Sequence, residues 1–204
     1  MHLSQKDIFG LVAGTCFAAG LNLYATLATL GLLARFEVID LPPALHSLAS
    51  WWIIAASLAL FTVEFFADKI PVFDLLWNAL HTFIRIPVAT FIAYEASAQL
   101  PPQLQIATAI AGGLIAFAAH GGKTAARAIV TPSPEPFSNM ALSVGEDAGA
   151  IGLTWLATRH PYATGVIVAV LVLMVIVSAK LVVRALRSLF RGAEREIERG
   201  ATPS

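Results

Sequence analysis

An all-α polytopic membrane helix bundle of about six spans is the fold class the sequence predicts, and three observations predict it. Of the 204 residues, 57% are hydrophobic and 13% charged, with a mean hydropathy of +0.75; a soluble domain carries far more charge. The apolar residues gather into runs near the ~20 residues that cross a hydrocarbon core, separated by short polar or proline-bearing connections. Charged and amide side chains recur inside those runs, where an ionised group costs roughly 2.5–3.5 kcal/mol on insertion scales and must therefore face a bundle interior or a wet cavity.

The same numbers exclude other classes. A formal net charge of zero gives no electrostatic basis for a nucleic-acid partner. The single cysteine, Cys16, rules out an intrachain disulfide and a cysteine metal cage. No cofactor motif and no metal-binding motif is present. One membrane domain is expected over 1–204, and the first apolar run is read as a retained helix, not a signal peptide, because it is long enough to span and lacks a small-residue cleavage site.

The first span, 8 to about 35, starts behind a capping pattern at Ser4 and Asp7. Gly10 and Gly14 form a small-xxx-small face, and Gly20, Asn22 and Tyr24 place a weak spot and an amide near mid-depth. Residues 36–49, with Glu37, Asp40 and His46, read as an extramembrane connection. Trp51 and Trp52 open the second span, to Phe66, as an interfacial aromatic belt. Glu64 and Asp68 share a face at its far end.

In the third span, 72 to about 97, Asp74, Asn78, His81 and Arg85 recur at i, i+4, i+7 and i+11, a polar stripe that lipid would not accept. Pro87 cannot supply an amide to the Phe83 carbonyl, so a kink or half-helix junction is expected beside Arg85. Arg85 is the natural counter-charge for Glu146 or Asp147.

The fourth span, 106–119, holds Gly112 and Gly113. Beyond it come His120, Gly121, Gly122, Lys123 and Arg127. The simplest reading of these two cations is a cytoplasmic topology marker, and the competing one is an anion site made by a glycine-rich basic turn. A stiff proline-alternating loop at 131–136 leads to the fifth span, 138–157, in which Asn139, Ser143 and Glu146 share a face and Asp147 lies about 100° round. Gly145, Gly149 and Gly152 would let another helix approach. This charged span is expected to be the one the others enclose. The sixth span, 162–183, is the most apolar, and Lys180, Arg184, Arg187 and Arg191 continue it as a basic stripe into a cytoplasmic tail, 186–204.

Lysine and arginine placement predicts cytoplasmic termini. Phe17 to Gly20 and Phe117 to His120 are similar tetrapeptides, and Asp68 with Trp77 resembles Asp147 with Trp155. These matches suggest two three-span halves, 8–98 and 104–185, inserted as inverted repeats with broken or re-entrant helices.

At Gly20-Leu21-Asn22-Leu23-Tyr24, at Ala67-Asp68-Lys69-Ile70-Pro71 with Asp74 and Trp77, and at Ser138-Asn139 with Ser143, Glu146 and Asp147, the chain resembles a family of small bacterial multi-pass membrane proteins catalogued as a domain of unknown function. The resemblance covers about residues 8–185. It implies a bacterial plasma-membrane protein and carries over no catalytic or binding role.

The functional expectation is a transporter or flippase for a small polar, ionic or lipid-linked substrate, with an acid or histidine exchanging a proton. Asn22, Arg85, Ser143, Glu146 and Asp147 would bind the substrate or ion. Glu64, Asp68, Asp74, His81, His120 and Lys123 would line the access path. Membrane lipids and a small-molecule or ionic substrate are the expected partners, with homo-oligomerisation open. A membrane-embedded enzyme acting on a lipid or isoprenoid is the alternative, weakened because no His-Glu-x-x-His, paired aspartate-rich or Gly-x-Gly-Asp motif occurs. A channel or scaffold, in which buried charges only fix helix register, is the third reading.

Overall fold

The computed structural model describes residues 5–68, 70–130 and 136–201, with side chains described at 7–68, 70, 76–127, 140–185, 187 and 188. Among these residues every regular element is helical: α1 (Gln5–Leu21), α2 (Leu23–Arg35), a 3-10 helix (Pro43–Ala49), α3 (Trp51–Ala67), α4 (Pro71–Ala96), α5 (Pro102–Val130), α6 (Pro136–Arg159) and α7 (Pro161–Ala201). Four of the α-helices and the 3-10 helix open on a proline, whose fixed φ suits the first helical position and whose missing N–H is no loss there. The α3 start is capped by Ser50, whose Oγ accepts from the Ile53 amide at 3.4 Å. At the end of α2 the Val38 amide reaches back to the Leu33 carbonyl at 2.9 Å, and Glu37 takes the left-handed conformation (φ 56°) that such a cap needs.

The helix that the others surround is α1, which packs on α4, α5, α6 and α7. This corrects the expectation that the charged 138–157 span would be the enclosed one. The reason is side-chain size: between Ile8 and Leu21, α1 carries no charge and is rich in Gly, Ala, Thr and Cys, so neighbours can close on every side. A Cβ on Gly10 would lie 2.0 Å from the Pro161 carbonyl oxygen, and one on Gly20 2.4 Å from that of Ala116. Around this contact Val12, Cys16 and Ala19 interlock with Ala89, Ile92 and Ala93 of α4 and Ala116 of α5. The α6 glycines play no such part. Nothing lies within 4 Å of a Cβ built on Gly145 or Gly152, and Gly149 meets only the Leu21 side chain at 3.5 Å.

Polarity runs from inside to outside in the reverse of a water-soluble protein. Trp52 (88% exposed) and Phe83 (81%) stand on the outer surface, whereas Glu64 and Arg85 are fully buried. Apolar surface on this scale belongs in lipid. By length and composition, Pro102–Arg127 and Pro161–Ala185 can each cross a membrane, and a third crossing is formed if the 3-10 helix and α3, bent 65° at their junction, count as one span. The chain is thus a helical membrane protein, with two to three such segments among the described residues. Asn22 divides the first apolar run into two helices too short to span singly. Arg35 sits 5.3 Å over the exposed Trp51 ring, the cation–π pairing of an interfacial residue with its aromatic belt.

Two local expectations are also corrected. The α4 helix runs unbroken through Pro87, so the half-helix junction considered there lies at Asn22 instead. The α5 helix continues through Gly121 and Gly122 to Val130, so these glycines form no anion-binding turn. Residues 131–135, most of the loop expected at 131–136, and the side chains of Asp74, Ser138, Asn139 and Arg191 lie outside the described residues.

Replacing Gly10 with valine should destabilise the protein by about 1–3 kcal/mol, because the facing atom is backbone and cannot step aside. Gly145→Ala should be neutral or stabilising by up to about 1 kcal/mol. Thermal unfolding of the two variants in detergent checks the contrast.

Candidate functional site

The site begins with one diverted hydrogen bond. In an uninterrupted helix the Ala25 amide would donate to the Leu21 carbonyl. Here it donates to Asn22 Oδ1 at 2.9 Å, with Asn22 extended (φ −146°, ψ 107°) as the N-cap of α2. The Leu21 carbonyl is thereby freed at the negative end of α1 and accepts from Lys123 Nζ at 3.1 Å and from Arg85 Nη1 at 3.3 Å. The other end of the same amide, Asn22 Nδ2, donates to Asp147 Oδ1 at 2.8 Å. One fully buried side chain therefore caps a half-helix, exposes a carbonyl to two cations and holds an acid from α6.

Four further helices turn a polar face towards this break. From α3 come Glu64 and Asp68, one turn apart; from α4 Asn78, His81 and Arg85; from α5 His120, Lys123 and Arg127; from α6 Ser143, Glu146 and Asp147. All of them are buried. Arg85 Nη2 donates to Glu64 Oε1. Lys123 Nζ lies 3.5 Å from Glu64, 3.7 Å from Asp68 and 3.2 Å from Glu146. Arg127 forks onto Glu146, Nη2 to Oε2 at 2.5 Å and Nε to Oε1 at 3.3 Å, and also reaches Asp68 Oδ2 at 2.6 Å. Ser143 Oγ donates to Asp68 Oδ2 at 3.4 Å.

Two histidines border the ions. His120 Nδ1 faces Arg85 Nη1 at 3.3 Å and Nε2 faces Thr82 Oγ1 at 2.7 Å. A guanidinium can only donate, so His120 accepts at Nδ1 and is the neutral Nε2–H tautomer. The Thr82 hydroxyl in turn donates to the Asn78 carbonyl at 3.0 Å. His81 stacks on Trp77, centroids 4.2 Å apart, with Nδ1 2.7 Å from the Trp77 carbonyl and Nε2 2.8 Å from the Tyr24 hydroxyl. It makes no ion pair among the described residues.

Of the residues named from sequence as substrate- or ion-binding, Asn22, Arg85, Ser143, Glu146 and Asp147 all reach this cluster. Glu64, Asp68, His120 and Lys123, expected along an access path, sit within it, and His81 borders it. The Asp74 side chain lies outside the described residues. The expected pairing is corrected: Arg85 takes Glu64, and Glu146 takes Arg127. Arg127 and Lys123, read as a topology marker, are both 4% exposed, so neither is a solvated cytoplasmic charge. The signal for them was present in the i, i+3, i+7 spacing of His120, Lys123 and Arg127, which repeats the period of the α4 stripe. No spacing pointed to the Leu21 carbonyl. Among the described residues no three His, Cys, Asp or Glu are arranged to hold a metal ion.

A bundle of this kind, with a discontinuous helix facing a buried cluster of opposite charges, defines a small helical membrane protein with an ionic interior. The chain belongs to the DUF4126 family, described as a domain of unknown function, whose model matches residues 9–181. Neither curated proteins nor solved structures give a match.

Arg85→Leu should cost about 3–5 kcal/mol, because it leaves Glu64 buried without its main partner, and the double change Arg85→Leu with Glu64→Leu should recover most of that loss. Unfolding in mixed detergent micelles measures both, and a double variant no more stable than the single one would refute the pairing.

Proposed function

We propose that the protein moves a small polar or ionic solute across the membrane, or flips a lipid-linked one, through the cluster at the Asn22 break. The observation that carries this reading is the helix discontinuity itself. A peptide carbonyl released at depth and turned towards charged side chains is costly for stability alone, and it is the arrangement by which secondary transporters bind ions and substrates with half-helix ends. Asn22, Arg85, Ser143, Glu146 and Asp147 would contact the solute, and His81 and His120 would lie along its approach.

Six crossings are part of the proposal, with α1 and α2 together as one interrupted span and α3 to α7 as the others. Two inverted three-span halves and cytoplasmic termini in a bacterial inner membrane complete it. Support for the orientation rests on Lys180, Arg184 and Arg187, exposed where α7 leaves its apolar stretch, against Arg35 and Arg159 elsewhere. Lys123 and Arg127 no longer bear on it.

A scaffold in which the ions only lock helix register is the competing reading, and the tight fork of Arg127 onto Glu146 favours it. The two readings part on flux. In proteoliposomes of the full chain, offered a panel of alkali salts, amino acids and phosphate, the native protein should show saturable uptake of at least one solute. Asp147→Asn should reduce that uptake at least tenfold while folding normally. No saturable uptake of any solute, or equal uptake by the variant, would count against transport.

A further inference from the structure

Among the described side chains the cluster is one positive charge short: Glu64, Asp68, Glu146 and Asp147 supply four negative charges, whereas Arg85, Lys123 and Arg127 supply three positive ones, a net of −1. The histidines do not pair with the leftover acid: His120 accepts from Arg85 at Nδ1 and is neutral, and His81 contacts Tyr24 and the Trp77 carbonyl and none of the four acids among the described residues. The deficit falls at one place. Glu64, Asp68 and Glu146 each contact a cation directly. Asp147, 6% exposed, has the neutral Asn22 amide as its one hydrogen-bond partner among the described residues, and its Oδ2 is buried with none. An uncompensated carboxylate in such surroundings is expensive unless something neutralises it.

We infer that Asp147, at the Asn22 break, takes up one monovalent cation, a proton or an alkali-metal ion, that completes the charge of the cluster. This rests on the reading of the cluster as a site and names the charge class of what enters it. A divalent ion would overshoot a deficit of one, and the described residues offer no group of three ligating side chains for it. An anion would widen the deficit, because each of the three cations already has a carboxylate partner. The groups that surround Asp147 electrostatically are Lys123 on α5 and Asp68 and Glu64 on α3. Glu146 and Arg127 lie within the same network. Lys123 is the internal competitor: its ammonium touches the Leu21 carbonyl and three carboxylates at 3.1–3.7 Å, a looser hold than the 2.5–2.6 Å contacts of Arg127. Asn22 ties occupancy to the fold, because the amide that donates to Asp147 also caps α2.

The test is the melting temperature of the full chain in detergent, in N-methylglucamine chloride at constant ionic strength. A ligand that binds only the folded state raises melting in proportion to the logarithm of its concentration. At alkaline pH the native protein should gain several degrees when sodium, potassium or lithium replaces N-methylglucamine, if the cation is a metal ion. If it is a proton, the alkali salts should do nothing, and acidification in their absence should raise the melting temperature. Asp147→Asn, neutral by construction, should be insensitive to alkali salts, lack the acid gain, and melt at least as high as the native protein at alkaline pH. Glu64→Gln, which strips Arg85 of its partner, should melt lower, showing that neutralising any acid of the cluster is not equivalent. An Asp147→Asn variant that melts lower and follows salts and pH as the native protein does would overturn the inference, as would a salt response that follows the anion. Flux without cation-dependent melting would sink this inference alone, and cation-dependent melting without flux would sink the transport reading alone.

Discussion

The hydrogen bond from the Ala25 amide to the Asn22 side chain is the interaction on which the interior depends. Were that amide to close the helical ladder onto Leu21, the carbonyl that receives Lys123 and Arg85 would be occupied. Two buried cations would then lose a neutral acceptor in a medium that supplies no water. The amide side chain is suited to the role because it offers an acceptor and a donor at once: the acceptor ends one helix and starts the next, and the donor binds Asp147. Aspartate would cap α2 equally well but would place a fifth negative charge beside the fourth.

From this break the charges are distributed by reach. Arg85, on the long α4 helix, spans to Glu64 near the end of α3, a pairing that a regular antiparallel hairpin of α3 and α4 does not give. Arg127 uses its fork geometry to join α3 and α6, since a guanidinium can serve two carboxylates without bending either bond. Lys123, a compact charge on a flexible stem, occupies the centre at longer distances from four oxygens. Shorter arginine pairs thus frame a more loosely held lysine, and among the described residues Asp147, the acid at the break, has only the Asn22 amide as hydrogen-bond partner.

The apolar packing of α1 makes the arrangement possible. Gly20 brings Ala116 of α5 against α1 beside the break, and Gly10 brings Pro161 of α7 against it about three turns away. Large side chains face outward instead, as with Phe83 and Trp52. Lipid rewards apolar surface and close packing alike, so the small residues inside and the aromatic residues outside follow from the same solvent.

Much of this was legible in the chain itself. Hydropathy and proline positions located every helix start from Trp51 onward to within a few residues, because proline and capping residues act locally. The i, i+4, i+7 stripe of α4 and the adjacent acids of α6 marked polar faces, since helical periodicity fixes which side chains share a side. Partner choice was not legible. Arg85 read as the counter-charge of Glu146 or Asp147, and its pairing with Glu64 instead depends on how α3 and α4 sit against each other. Lys123 and Arg127 looked like solvated charges because a basic turn after an apolar run reads the same whether the helix ends there or continues. Sequence by itself therefore determined that charge lies within the apolar helices and on which of their faces, because hydropathy and helical periodicity are local. Only the tertiary structure decided which charges neutralise which, and that one acid is left over, because pairing is settled by distances between helices that no spacing along the chain encodes.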